Sequence, residues 1–121
     1  MQLVPYWLHN MTENSKKNFF DFTLQAGTII KAEPFPEANK PAIKLWIDFG
    51  EDGIKTSSAQ ITNYYTPENL PGTQVICVTS LSPMRIAGFK SEVLVTGFPH
   101  QNGGIILARP EQAVPNGSLL H

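Results

Sequence analysis

Residues Ala42–Phe49 alternate without a break. Ile43, Leu45, Ile47 and Phe49 fall on one face, and Ala42, Lys44, Trp46 and Asp48 fall on the other. Strict period-two alternation belongs to a strand with one face in a core. Glu51-Asp52-Gly53 then reads as a hairpin turn, with glycine where a positive φ is wanted, and Ile54–Ile61 reads as the return strand. An alternating hairpin in mid-chain directs the search toward an all-β fold.

The punctuation elsewhere agrees. Ten prolines and nine glycines are spread along 121 residues, the pattern of many short strands joined by turns. Leu24–Glu33 reads as a first strand, and Gly27 inside it marks a bulge or sharp coil that lets one long strand serve both halves of a small barrel. Pro34–Pro41 is a proline-stiffened loop. Tyr64–Leu70 predicts a single helical turn with Thr66 as its cap and Pro67 at its first position. Gln74–Leu81 reads as a strand. Ser82–Gly97 starts as a loop and ends as a strand over Glu92–Gly97. Asn102-Gly103 marks a hairpin into a last strand, Ile105–Ala108, and Arg109–His121 reads as a loop-like tail. The count is about five or six strands, with a helical turn between the third and fourth and no long helix, which is the plan of a five-stranded Greek-key OB-fold barrel. Residues 1–18 have no clean period and read as a loosely structured N-terminal extension, leaving 19–121 as one barrel domain with a short C-terminal extension.

Charge narrows the function classes. Nine basic and ten acidic residues give a net charge of −1, whereas a dedicated nucleic-acid binder carries a basic excess. Any nucleic-acid affinity must come from a local patch and be salt-sensitive. Cys77 is the single cysteine and lies in an apolar strand, so it reads as a buried small residue. One cysteine allows no intrachain disulfide, which favours a reducing, cytoplasmic setting. Met1–Leu8 is apolar, but Pro5 interrupts it and no lysine or arginine precedes it, so neither a signal peptide nor membrane insertion is expected.

Catalytic patterns are missing. His9, His100 and His121 have no Cys, Asp or His at ligand spacing, so no metal or cofactor is expected. Asp48, Glu51 and Asp52 flank a turn and read as solvated. The expectation is a binding protein; an uncharacterised enzyme remains as an alternative. The best binding loop is the first half of Ser82–Gly97, which carries Arg85, Lys90 and the aromatic Phe89. Trp46 is large, apolar and on the polar face beside Lys44. It reads either as a platform for a base or peptide side chain, or as a residue covered by a loop or second subunit. Phe19, Phe20, Phe22, Phe35, Trp46 and Phe98 are more apolar surface than a lone barrel is expected to cover, which predicts a homodimer.

Four blocks carry a family resemblance. They are Pro41-Ala42-Ile43-Lys44-Leu45 with Ile47-Asp48-Phe49-Gly50, Ser57-Ser58-Ala59-Gln60-Ile61-Thr62, Arg85–Val95 and Val114-Pro115-Asn116-Gly117. Together they resemble the CsaA proteins, export-related chaperones within the wider tRNA-binding-domain family. The resemblance covers about residues 19–121 and implies an OB-fold homodimer that binds unfolded or secretory precursor polypeptides, with tRNA as the alternative ligand. It implies tRNA-binding candidates at Arg85, Lys90 and Ser91, to which Lys44 and Lys55 are added, and apolar peptide pockets near the subunit boundary. Peptide candidates are Trp46, Phe89 and Phe35, and interface candidates are Phe19, Phe20, Phe98, Val114, Pro115 and Asn116. Thr23 and Gln25 stand where the family pattern has Asp and Arg, a pair that can orient neighbours or serve a phosphate.

Overall fold

The computed structural model describes residues 21–121, so the proposed extension, with Phe19 and Phe20, lies outside the described residues. The fold is organised by its first strand, β1 (Leu24–Pro34). Its first half, Leu24–Thr28, pairs antiparallel with β4 (Gln74–Val78), and its second half, Thr28–Pro34, pairs with β2 (Ile43–Asp48). β2 pairs in turn with β3 (Ile54–Ala59), and β4 with β7 (Leu94–Val95), giving the sheet order β3-β2-β1-β4-β7. One long strand thus serves both halves of a nearly closed five-stranded antiparallel barrel, as expected of an OB-fold.

The alternation of β2 does what its pattern requires. Ile43, Leu45 and Ile47 are buried and Lys44, Trp46 and Asp48 are partly exposed. The inward set joins Ile29, Phe49, Ala59, Ile61, Leu70, Val75, Cys77, Val93 and Leu107 in one core. The turn after β2 is a short 3-10 segment, Gly50–Asp52, closed by Gly53 at φ +85°.

The irregularity in β1 is not at Gly27. The register with β2 slips between Ile29, opposite Ile47, and Lys31, opposite Trp46, so Ile30 is the bulged residue and is exposed. Gly27 has a packing role instead. A Cβ there would lie 2.6 Å from Ile47 Cγ2 and 2.7 Å from Phe49 Cε1, inside van der Waals contact.

The barrel closes by an irregular seam between β3 and residues 90–93. The backbone N–H groups of Glu92 and Val93 both donate to the Thr56 carbonyl, at 2.8 and 3.2 Å. Side chains complete the ladder: Thr56 N–H donates to Glu92 Oε1, and Ser58 N–H to Ser91 Oγ, both at 3.0 Å. The Ser82–Gly97 stretch is therefore not a loop running into one strand. It contains a hairpin, β5 (Met84–Ile86) and β6 (Phe89–Ser91), followed by the two-residue β7. Ala87 and Gly88 turn this hairpin at φ +47° and +84°, the double positive-φ geometry of a tight two-residue turn. A second hairpin, β8 (Gly97–Pro99) and β9 (Ile105–Leu107), turns through Asn102-Gly103 as the sequence suggests.

Between β3 and β4 the chain makes turns at 62–64, 67–69 and 71–72, and the helical turn expected over Tyr64–Leu70 is only the hydrogen-bonded turn at Pro67–Asn69, where Asn69 N–H donates to the Thr66 carbonyl at 3.2 Å. Its cap is Asn69 Oδ1, which accepts from the Thr66 N–H at 3.1 Å, rather than the Thr66 hydroxyl. The C-terminal tail is also more ordered than a loop. Gly117 N–H donates to the Ala26 carbonyl, Ala26 N–H to Ser118 O and Leu120 N–H to Leu24 O, at 2.7 to 2.9 Å. The tail therefore occupies the edge of β1 that β2 leaves free, and removes an exposed strand edge.

Candidate binding site

Three aromatics converge on the outer wall of the barrel. Trp46 points out from β2, Phe35 follows β1, and Phe89 descends from the β5–β6 hairpin. Phe89 meets Phe35 at 5.6 Å between centroids and Trp46 at 5.6 Å, both edge to face. That arrangement aligns a positive ring edge with a negative face. Two lysines sit on the rings: Lys31 Nζ lies 4.5 Å from the Trp46 centroid, and Lys44 Nζ lies 4.9 Å from Phe35 and 5.3 Å from Phe89. All three peptide candidates are thus brought together, but Phe35 is 4% exposed and serves as the floor of the cluster. Trp46 and Phe89 are half-buried and offer the accessible ring surface.

The nucleic-acid candidates are divided. Arg85 and Lys90 are cross-strand partners and both are exposed; they occupy the hairpin face opposite Phe89. Arg85 Nη1 donates to the Gly88 carbonyl at 3.2 Å, which holds the guanidinium near the turn. Ser91 lies on the inner face, is 9% exposed, and accepts from Ser58 N–H, so it belongs to the seam. Lys44 belongs to the aromatic cluster. Lys55 is opposite Ile47 in the inward row of β3 and half-buried, on a different strand face from Lys44.

The interface candidates divide similarly. Phe98 is the most exposed large apolar side chain among the described residues, at 66%, and Val114 and Pro115 are exposed. Asn116 is committed within the chain: its Oδ1 accepts from Thr28 Oγ1 at 2.7 Å and from Gln74 Nε2 at 3.0 Å. Gln74 also pairs with Val114 through both its amide atoms. Sequence reasoning missed Lys31, because only the bulge at Ile30 brings it opposite Trp46.

The residue that replaces the family arginine has its own network. Gln25 is buried and donates through Nε2 to Asp52 Oδ2 at 2.7 Å and to Gly117 O at 3.1 Å. Its Oε1 accepts from Thr79 Oγ1 at 2.5 Å. Gln25 thus ties β1 to the 3-10 turn, β4's end and the tail without a charge. Cys77 is fully buried and its thiol is pushed well above its usual range by desolvation, which makes it a packing residue. Among the described residues no group of His, Cys, Asp and Glu could hold a metal ion, and no helix is long and apolar enough to cross a membrane.

A small barrel with cation-covered aromatics on its wall and cations on an adjoining hairpin defines a ligand-binding OB module. Comparison with known proteins makes this specific. A family model for a tRNA-binding domain matches residues 24–119. The chain resembles the crystal structure of chaperone CsaA from Bacillus anthracis at 49% identity and a TM-score of 0.80, covering 87% of this chain and 98% of that one. It resembles the CsaA chaperone protein of Picrophilus torridus at 40% identity and a TM-score of 0.79, covering 85% and 94%. It is also 35% identical over 103 residues to methionine–tRNA ligase 1 of Bacillus anthracis, covering 85% of this chain but only 15% of the ligase's length. The chain belongs to the tRNA-binding-domain family, among its CsaA-type members.

Proposed function

We propose that this chain is a cytoplasmic, dimeric, chaperone-like binding protein for unfolded or secretory precursor polypeptides, associated with protein export, and not an enzyme. The observation that carries the reading is end-to-end similarity to a CsaA chaperone, 98% of whose chain is matched at 49% identity. The surface supports it. Half-buried Trp46 and Phe89 lie together on the wall, and Phe98, Val114, Leu119 and Leu120 are exposed apolar residues suited to a partner subunit or client. The expected result is that the protein slows aggregation of a chemically denatured client at near-stoichiometric ratio. No protection at a severalfold excess would sink the reading. Light scattering at micromolar concentration should return twice the 13.4 kDa chain mass, and a monomer mass would remove the dimer.

The second reading is tRNA binding, favoured by the family and by the exposed Arg85–Lys90 pair on one hairpin face. Each cation that contacts a phosphate adds about one released counterion to the salt dependence. A filter-binding titration should show affinity for tRNA at low salt, and Arg85→Ala with Lys90→Ala should reduce the slope of log K against log salt by about 1 to 2. Undetectable binding at low salt would eliminate this reading.

A further inference from the structure

We propose that Lys31 is a displaceable cap on Trp46, so that it sets how tightly the barrel wall takes an extended apolar polypeptide segment. The inference rests on the polypeptide reading for its ligand, though not for its geometry. The bulge at Ile30 creates the arrangement. In an unbroken register Ile30 would stand opposite Trp46; the inserted residue puts Lys31 there instead and leaves Ile30 exposed. Bulges re-aim side chains in this way next to binding sites. The ammonium then lies 4.5 Å from the ring centroid and also pairs with Glu33, whose Oε2 is 3.2 Å from Nζ.

The cap is weakly held. The two side chains of the Lys31–Glu33 pair are 57% and 45% exposed, so water screens their attraction. An exposed cation–π contact is similarly modest. An apolar ligand side chain that reaches Trp46 must move Lys31 aside, and the lysine returns to water at little loss. The capped ring is shielded when empty, which limits self-association through an exposed tryptophan, and opens only to a ligand that gains more from the ring than the ammonium does. Lys44 lies over Phe35 and Phe89, but Phe35 is buried, so Trp46 is the ring that Lys31 controls.

Two measurements test this. In a Trp7→Phe background, Trp46 is the remaining tryptophan, and acrylamide quenching of its fluorescence should rise about twofold on Lys31→Ala without any ligand, as expected when a shielding contact is removed. Fluorescence anisotropy with a neutral, labelled peptide carrying alternating Leu and Phe should then show Lys31→Ala binding about twofold to fivefold tighter than the parent, the size of a lost exposed cation–π contact. Lys40→Ala, on the loop after β1, should change neither. Unchanged quenching, or equal or weaker peptide binding by Lys31→Ala, overturns the cap. Raised quenching with no peptide binding to any variant supports the cap and overturns the polypeptide reading. Binding of a single-stranded RNA oligomer by Lys31→Ala more tightly than by the parent, with the peptide ignored, would overturn the assignment of polypeptide as the ligand.

Discussion

Gly117→Val is expected to lower the stability of the barrel by about 3 kcal/mol or more in urea denaturation, the sum of a strained backbone and several lost contacts. Gly117 has φ +92°, a region that β-branched residues avoid, and a Cβ there would lie 2.5 Å from the Phe49 carbonyl oxygen. The opposing residue is equally tight: a Cβ on Gly50, at φ +70°, would lie 2.6 Å from the Asn116 carbonyl oxygen. Two glycine backbones lie against each other, and neither can retreat without moving the 3-10 turn or the tail. Displacing the tail would break the Gly117, Ser118 and Leu120 backbone pairs with β1 and the Asn116 bonds to Thr28 and Gln74. Gly53→Ala is the control. Its φ of +85° and ψ of −171° lie in a region nearly restricted to glycine, but a Cβ there meets nothing within 4 Å, so it should cost the conformational strain alone, about 1–3 kcal/mol. Equal losses at the two positions would show that close approach contributes nothing and that the tail is not anchored as described.

The same residues show what the sequence could reveal. β2 was legible because its periodicity depends only on which side of one strand faces the core, a local property, and β3 because the turn at Glu51-Asp52-Gly53 returns the chain. The core residues Ile43, Leu45, Ile47 and Phe49 follow directly from that periodicity, and the hairpin at Asn102-Gly103 follows from its turn residues, an equally local signal. The bulge at Ile30 was not legible, because a register slip is decided between strands, and the glycine that attracted attention, Gly27, answers to Phe49 and Ile47 instead. The tail looked like a loop because it has no alternation; its order comes from backbone pairing and from the side chains of Gln74 and Asn116, which carry no hydrophobic signal. In the site, Trp46, Phe89 and Phe35 could be selected by residue type. Their meeting, the burial of Phe35, and the separation of Ser91 and Lys55 from Arg85 and Lys90 depend on how the β5–β6 hairpin folds onto the wall. Gln25 was legible as a departure from the family pattern, but its uncharged links to Asp52, Thr79 and Gly117 required three segments to be placed.

Phe49→Ala should be the most damaging single substitution in the described core, at about 3–5 kcal/mol and a fall of roughly 10–25 °C in Tm. Phe49 is 1% exposed and among the largest fully buried side chains, and its ring fills the space above Gly27. Its removal leaves a cavity where β1 passes from β4 to β2, the point that joins the two halves of the barrel. A double-mutant cycle with Gly27→Ala tests this geometry more sharply than either single change. Gly27→Ala alone overpacks the core and should cost about 1–3 kcal/mol. Two neighbours oppose the added methyl group: the Phe49 ring at 2.7 Å and Ile47 Cγ2 at 2.6 Å. With the ring gone, its share of the clash disappears and the methyl group enters the cavity, while the share owed to Ile47 remains. The double variant should therefore be more stable than the sum of the single losses by at least about 0.5 kcal/mol, the coupling expected of residues in direct contact. Strict additivity would mean that the Phe49 ring is not what requires glycine at position 27, and that the crossing of β1 between the two halves is held open by Ile47 alone.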